Sequence, residues 1–250
     1  MSWDEILGLV VVATIGHVMA AIWYAAYKGN WSICDRKIYD TSIQAKQMRR
    51  ELKNSLWTPM HAVILAGFLY AGSFTSRSWT SFFATLALAF VWAELWHYVS
   101  HRAMHLKPLH WIHAEHHKSH VNGPITAISF SFSEKLIFDL GYLGALAIVD
   151  VVVPLNFHGI VLWYVGYLVM NSFGHANFEF RPGDYNSFLG KLMTSTTYHS
   201  LHHARYTHNY GLATRFFDRL FATEWTDYEK LFHRVVLEQR PMSHLRERAD

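Results

Sequence analysis

The stretch Ile6 to Tyr27 is apolar over a length that crosses a bilayer, interrupted only by His17 and small residues, and this limits the fold more than anything else in the chain. A segment of that kind satisfies its backbone hydrogen bonds internally only as a helix. Two further apolar runs, 57–74 and 79–97, are joined by the short 71–78 connection as a tight helical hairpin. A second hairpin, 136–153 and 159–174, turns around Pro154-Leu-Asn-Phe157, and the apolar part of its second arm is short enough to enter only part of a bilayer. The acidic start, Met1-Ser-Trp-Asp-Glu5, makes the first run an anchor rather than a cleaved signal peptide. Buried helices of a water-soluble bundle are the alternative, and the length of the runs argues against them.

Composition agrees. Hydrophobic residues make up 51% of the chain and charged residues 16%, with aromatics plentiful. A net charge of +3 gives no reason to expect a nucleic-acid partner. A lone cysteine, Cys34, excludes an internal disulfide and any thiolate-rich zinc or iron–sulfur site. Between the first two runs lie Lys28, Arg36, Lys37, Lys46, Arg49, Arg50 and Lys53 against Asp35, Asp40 and Glu51, while the opposite connections carry little beyond Arg77. The positive-inside rule puts this loop in the cytoplasm and the N-terminus outside. Counting onward brings every histidine cluster to that same face. The last third of the chain, more polar and without a spanning run, reads as a cap over the helix ends. The expected fold is therefore all-α: one domain over residues 1–250, an integral-membrane bundle of about four to five spans (6–27, 57–74, 79–97, 136–153, 159–174) with a cytosolic histidine-rich cap.

Histidine occurs 18 times, and its distribution asks for a chemical reason. His97-Tyr-Val-Ser-His101-Arg-Ala-Met-His105 keeps its imidazoles near one helical face. His113-Ala-Glu-His116-His117 and His199-Ser-Leu-His202-His203 repeat an HxxHH spacing, and His175 follows Asn171 by four. In HxxHH the first ring can share a metal with either of the others, while the adjacent pair diverges by roughly 100° and can serve two neighbouring ions. Neutral imidazole suits iron, zinc and copper, and a redox-active member of that set can attack an unactivated C–H bond where zinc cannot. Isolated His17, His61, His158, His233 and His244 read as structural or surface residues. His97, His110 and His120 stand beside the motifs as candidate outer hydrogen-bonding partners. Trp57, Trp79 and Trp96, near span ends, read as interfacial anchors.

At these residues the chain resembles the fatty acid hydroxylase/sterol desaturase superfamily. Trp96-His97-Tyr98-x-x-His101-Arg102-x-x-His105 and Trp111-Ile-His113-x-x-His116-His117 are similar to its first two histidine boxes. Tyr198-His199-x-x-His202-His203, Asn209-Tyr210-Gly211 and Phe217-Asp218-Arg219-Leu220-Phe221 are similar to its last box and tail. Gly123-Pro-Ile-Thr-Ala127 and Gly174-His175-Ala-Asn177-Phe-Glu179 also look like the desaturase-like half of plant wax-alkane-forming proteins. The likeness covers about 94–225. It implies a di-iron centre, O2 as co-substrate, a lipid substrate of sterol or fatty-acyl type, and electrons from a separate cytochrome b5 or ferredoxin-type protein. By position it implies His101, His105, His113, His116, His117, His175, His199, His202 and His203 as metal ligands. One division puts His101, His113, His116, His199 and His202 near one metal and His105, His117, His175 and His203 near the other. Asn171 stands where fatty acyl 2-hydroxylases have a further histidine, and Asp218 and Glu94 are candidates to orient ligand rings.

The expected function is an O2-dependent lipid hydroxylase or desaturase in a bacterial inner membrane or the endoplasmic reticulum, with its metals on the cytoplasmic side. A long-chain aldehyde-to-alkane enzyme and a non-enzymatic haem- or metal-binding membrane protein are the alternatives. Single histidines on facing spans, as haem bundles need, are not the pattern here.

Overall fold

Ser2 and Glu5 close a capping box ahead of the first helix, the Ser2 backbone N–H donating to Glu5 Oε2 at 2.8 Å. From there helix α1 runs over Trp3–Lys28 without a break to Gly29. A computed structural model describes residues 1–181 and 187–249. The remaining helices are α2 (Ala45–Asn54), α3 (Met60–Tyr70), α4 (Trp79–Met104), α5 (His110–His117), α6 (Phe132–Asp150), α7 (Phe157–Gly174), α8 (Phe188–Leu192), α9 (Thr196–Arg205), α10 (Phe216–Leu220) and α11 (Tyr228–Val236). Among the described residues there is no β-strand, only isolated bridges.

Helices α1, α3, α4, α6 and α7 pack up-and-down around a core that includes Leu65, Leu69, Ala89, Leu143, Leu146, Ile160 and Tyr164. Polar bonds tie the connections at one end: Asp150 accepts from the backbone N–H groups of Phe74 and Leu155 at 2.6 Å each, and Arg77 pairs with Glu5. At the other end a second core forms from Ile38, Tyr39, Tyr198, Leu201, Tyr228, Phe232 and Val235, so α9 and α11 fold against the loop that follows α1. Close helix approach has local causes. A Cβ added to Gly141 of α6 would lie 2.0 Å from the Trp96 ring of α4, so only glycine admits that indole.

Two helices, α1 and α4, are long and apolar enough to cross a membrane. Only 22% and 28% of their most apolar windows is buried, so most of each window is exposed rather than packed inside the protein's own core. Leu7, Val10, Val18, Phe83 and Val91 face outward, where lipid would satisfy them and water would not. The other expected spans come out differently. The 57–74 run yields an α3 of 11 residues, about 16 Å long. Pro59 sits at its start, and Gly72 and Phe74 turn the chain at positive φ after its end. Helix α6 starts four residues earlier than its apolar run and carries Glu134, Lys135 and Asp139, all buried. The short second arm is longer than its apolar part, with 18 residues in α7.

Candidate metal centre

The C-terminal ends of α4 and α7 lie beside α5 and α9, and this junction gathers nine imidazoles into two groups. His101, His105, His113, His117 and His202 form one; His116, His175, His199 and His203 form the other. Within each group one ring nitrogen per residue lies within 4.8 Å of all the others. All nine residues expected from the motifs are therefore brought together. Their sorting differs from the expected division. The i,i+4 partners His113 and His117 stay together, as do His199 and His203, and the middle histidine of each HxxHH crosses to the other group. Rings four apart on a helix are offset by about 40° and rings three apart by about 60°, so the i,i+4 pair converges more readily.

The outer nitrogen of most rings is held by the chain itself. Nδ1 of His101 donates to the Tyr210 carbonyl at 3.1 Å, His116 to Ser129 at 2.9 Å and His175 to Asn171 at 2.8 Å. His202 likewise donates to the His208 carbonyl at 2.7 Å and His203 to Ser119 at 3.0 Å. His113 Nδ1 meets the buried carboxylate of Glu134 at 2.6 Å. A carbonyl can only accept, so these rings carry their proton on Nδ1 and turn a lone pair inward from Nε2.

Those inward atoms have no good partners in the protein. Nε2 of His101, His105 and His113 is buried with no hydrogen bond among the described residues. His116 and His175 bring their Nε2 atoms to 3.3 Å with both Nδ1 protons already committed, which sets lone pair against lone pair. His199 lies 2.8 Å from His175 and 3.1 Å from His203, nitrogen to nitrogen, and His202 faces His117 at 3.0 Å. A cation in the second group would turn the His116–His175 repulsion into coordination, and one in the first would meet the unpartnered Nε2 atoms of His101, His105 and His113. The donor set, all imidazole with outer carbonyl or carboxylate partners, fits a transition metal. Burial lowers the pKa of His105 to about 2, of His116 to about 4 and of His175 to about 3, keeping these rings neutral as ligation requires.

The residues expected to orient rings lie elsewhere. Glu94 accepts from the backbone N–H of Ala213 and of Thr214 at 2.9 Å each. Asp218 accepts from the Tyr198 hydroxyl at 2.8 Å, the Thr223 hydroxyl at 2.7 Å and the Tyr210 and Gly211 N–H groups at 3.0 and 2.6 Å. Neither carboxylate touches an imidazole. Both fix the loop whose Tyr210 carbonyl holds His101, because backbone donors in that loop reach them first. Asn171 acts through its carbonyl on His175, its side chain donating to the Ala127 carbonyl at 2.7 Å. The direct carboxylate partner is Glu134, which the sequence disguises: Ser131-Phe-Ser-Glu134 reads as a capping box. Ser131 does cap α6, yet the Glu134 side chain turns to His113 instead.

His97, His110 and His120 belong to neither group. His97 packs its ring at 4.9 Å from that of His101 and stacks on Phe138. Of the isolated histidines, His61 is buried against the Val12 carbonyl at 2.9 Å, and His158 meets Asp4 at 2.9 Å near the opposite end. Beside the second group opens a cavity of about 610 Å³ between α4, α7 and the segment before α9. Trp163, Tyr167, Phe173 and Leu212 give it an apolar wall, and His175, His199 and His97 border it.

Residues 86–223 match the family model described as fatty acid hydroxylase. The chain is 32% identical over 154 residues to the very-long-chain aldehyde decarbonylase GL1-6 of Oryza sativa subsp. indica, covering 57% of this chain and 23% of that protein. It is 33% identical over 153 residues to the very-long-chain aldehyde decarbonylase CER1 of Arabidopsis thaliana, covering 56% and 24%. It is 31% identical over 150 residues to the methylsterol monooxygenase erg25B of Aspergillus fumigatus, covering 59% of this chain and 50% of that one. The chain thus spans about a quarter to a half of the length of these relatives. No solved structure matches it.

Proposed function

The chain belongs to the fatty acid hydroxylase family, and from that premise we propose that it is a membrane oxidoreductase that oxidises a lipid with O2 at two histidine-bound iron ions. One observation carries the reading: nine neutral imidazoles, most with their outer nitrogen committed, aim lone pairs into two adjoining points beside an apolar cavity. His101, His105, His113, His117 and His202 hold one ion; His116, His175, His199 and His203 hold the other. When bound, the iron pair supplies the oxidising power needed to break an unactivated C–H bond.

The protein's own part is positional. Carbonyls of residues 119, 129, 171, 208 and 210, with Glu134, lock the rings so that they do not swing when a ligand exchanges. The cavity walls keep water away while an acyl or ring-shaped lipid lies alongside His175 and His199. Hydroxylation places one oxygen atom of O2 in the product and reduces the other to water, consuming two electrons and two protons. Desaturation removes two hydrogens from the lipid and needs the same supply of electrons to reduce O2 fully. A separate cytochrome b5 or ferredoxin-type protein delivers them, docking on the basic 28–53 loop. Helices α3, α6 and α7 join α1 and α4 in the membrane, giving up to five crossings with both histidine groups at the cytoplasmic face, in an inner or reticulum membrane.

The test is lipid mass spectrometry of cells carrying wild type or His202→Ala, with metal analysis of both purified proteins. Wild type should contain iron and generate a lipid +16 or −2 in mass that the variant lacks. Native protein devoid of transition metal would sink the reading. The decarbonylase relatives favour a second outcome, conversion of a long-chain aldehyde to a shorter hydrocarbon. The same spectra separate it, because that route loses a carbon.

A further inference from the structure

Inside the helical bundle, outside both histidine groups, Lys135 Nζ pairs with Asp139 Oδ1 at 2.8 Å, and these side chains are only 5% and 4% exposed. A charged pair sealed among apolar helices is costly to maintain and marks a site more often than a scaffold. This one is also incomplete. The Tyr142 hydroxyl is buried with no hydrogen-bond partner among the described residues, and Asp139 has, besides Lys135, only the Tyr164 hydroxyl within reach and at poor geometry. All four residues line a small cavity of about 30 Å³, room for one oxygen-sized group. That cavity shares His97, Trp163, Tyr167 and Leu212 with the large one, so the two adjoin across these side chains.

We propose that Lys135, Asp139 and Tyr142 form a polar subsite for a neutral oxygen of the lipid, the hydroxyl of an alcohol or the carbonyl of an aldehyde. This deepens the oxidase reading and rests on it for calling the lipid a substrate. A hydroxyl donates to Asp139 Oδ2 and accepts from Tyr142. A carbonyl accepts from Tyr142 or from a Lys135 N–H not directed at Asp139. A free carboxylate is disfavoured, because Asp139 already answers the single ammonium and the new charge would arrive without a partner. The apolar remainder of the guest lies in the large chamber, which brings part of it alongside His175 and His199.

Equilibrium binding to the purified full chain in lipid nanodiscs tests this without turnover, using hexadecanol, hexadecanal, hexadecane and palmitate. Wild type should bind the alcohol or the aldehyde about tenfold or more tighter than the alkane and the acid. Whichever of the two wins identifies the source of the oxygen. Tyr142→Phe, which changes neither charge nor shape, should shrink that preference several-fold while leaving alkane affinity in place. Lys135→Met with Asp139→Leu, which removes the pair together and leaves no orphaned charge, should abolish it. Equal binding of all four probes, tighter binding of palmitate, or a preference that survives the double change would overturn the proposal. In that case a fixed water completes the pair. Iron content is read on the same samples: protein that prefers the alcohol but holds no metal sinks the oxidase reading alone, and metal-loaded protein without the preference sinks this subsite alone.

Discussion

Glu134 shows how much a single buried side chain can carry. It is fully enclosed, and its carboxylate stands against His113 Nδ1. Replacing it by Gln keeps the shape and weakens the acceptor that holds the ring, so metal affinity should fall about 10–100-fold. Titration with a competing chelator, read by elemental analysis, measures this, and an unchanged affinity would mean that the carbonyl-held rings suffice. Glu94→Gln offers a contrast: its carboxylate holds backbone rather than a ring, so the change should loosen the 209–214 loop and leave the first-order metal affinity within a few-fold. Eight of the nine clustered histidines were legible in the sequence because HxxxH and HxxHH put them on fixed helical spacing, while His175, four residues after Asn171, stood out through the resemblance. Glu134 was not, since a serine three residues before it offers the same letters as a helix cap. The pairing of His116 with His175 and His203 was not legible either, because facing helices, not spacing within one helix, decide which rings meet.

The helices themselves meet through small residues. Helix α4 passes α6 where Gly141 accepts the Trp96 ring, and Trp96 Nε1 donates to the Phe138 carbonyl at 3.2 Å. Gly141→Ala forces that indole out of place and should destabilise the protein by about 1–3 kcal/mol, as overpacking does. A lowered melting temperature of the detergent-solubilised chain reports it. The displaced indole also borders the small cavity, so lipid binding should weaken in the same variant. Helix order and type followed from apolar runs, and α1 and α4 lie close to where those runs stand. The expected 57–74 span comes out as a shorter α3, because Pro59 and the positive-φ turn at Gly72 and Phe74 trim the helix from both ends. Helix α6 begins at Phe132, behind the Ser131 cap, rather than at its first apolar stretch, since the cap sets the start and buried polar residues occupy its first turns.

For the molecule as a whole, the exposed apolar faces of α1 and α4 dictate where it can reside. The protein should stay with membranes through an alkaline carbonate wash and leave them only with detergent; release by carbonate would refute the spanning assignment. Metal and fold should also depend on each other. Removing metal leaves opposed lone pairs such as those of His116 and His175, so chelation should lower the melting temperature by several degrees and re-addition of ferrous iron should restore it. The chamber beside His175 and His199 reaches Phe90 and Met170, both exposed on the outer faces of α4 and α7. In the proposed membrane setting, a guest entering there would come sideways out of hydrocarbon without passing through the aqueous phase. The alkyl tail of a solubilising surfactant is such a guest, so the reagent that frees this protein from its bilayer also competes for its doorway.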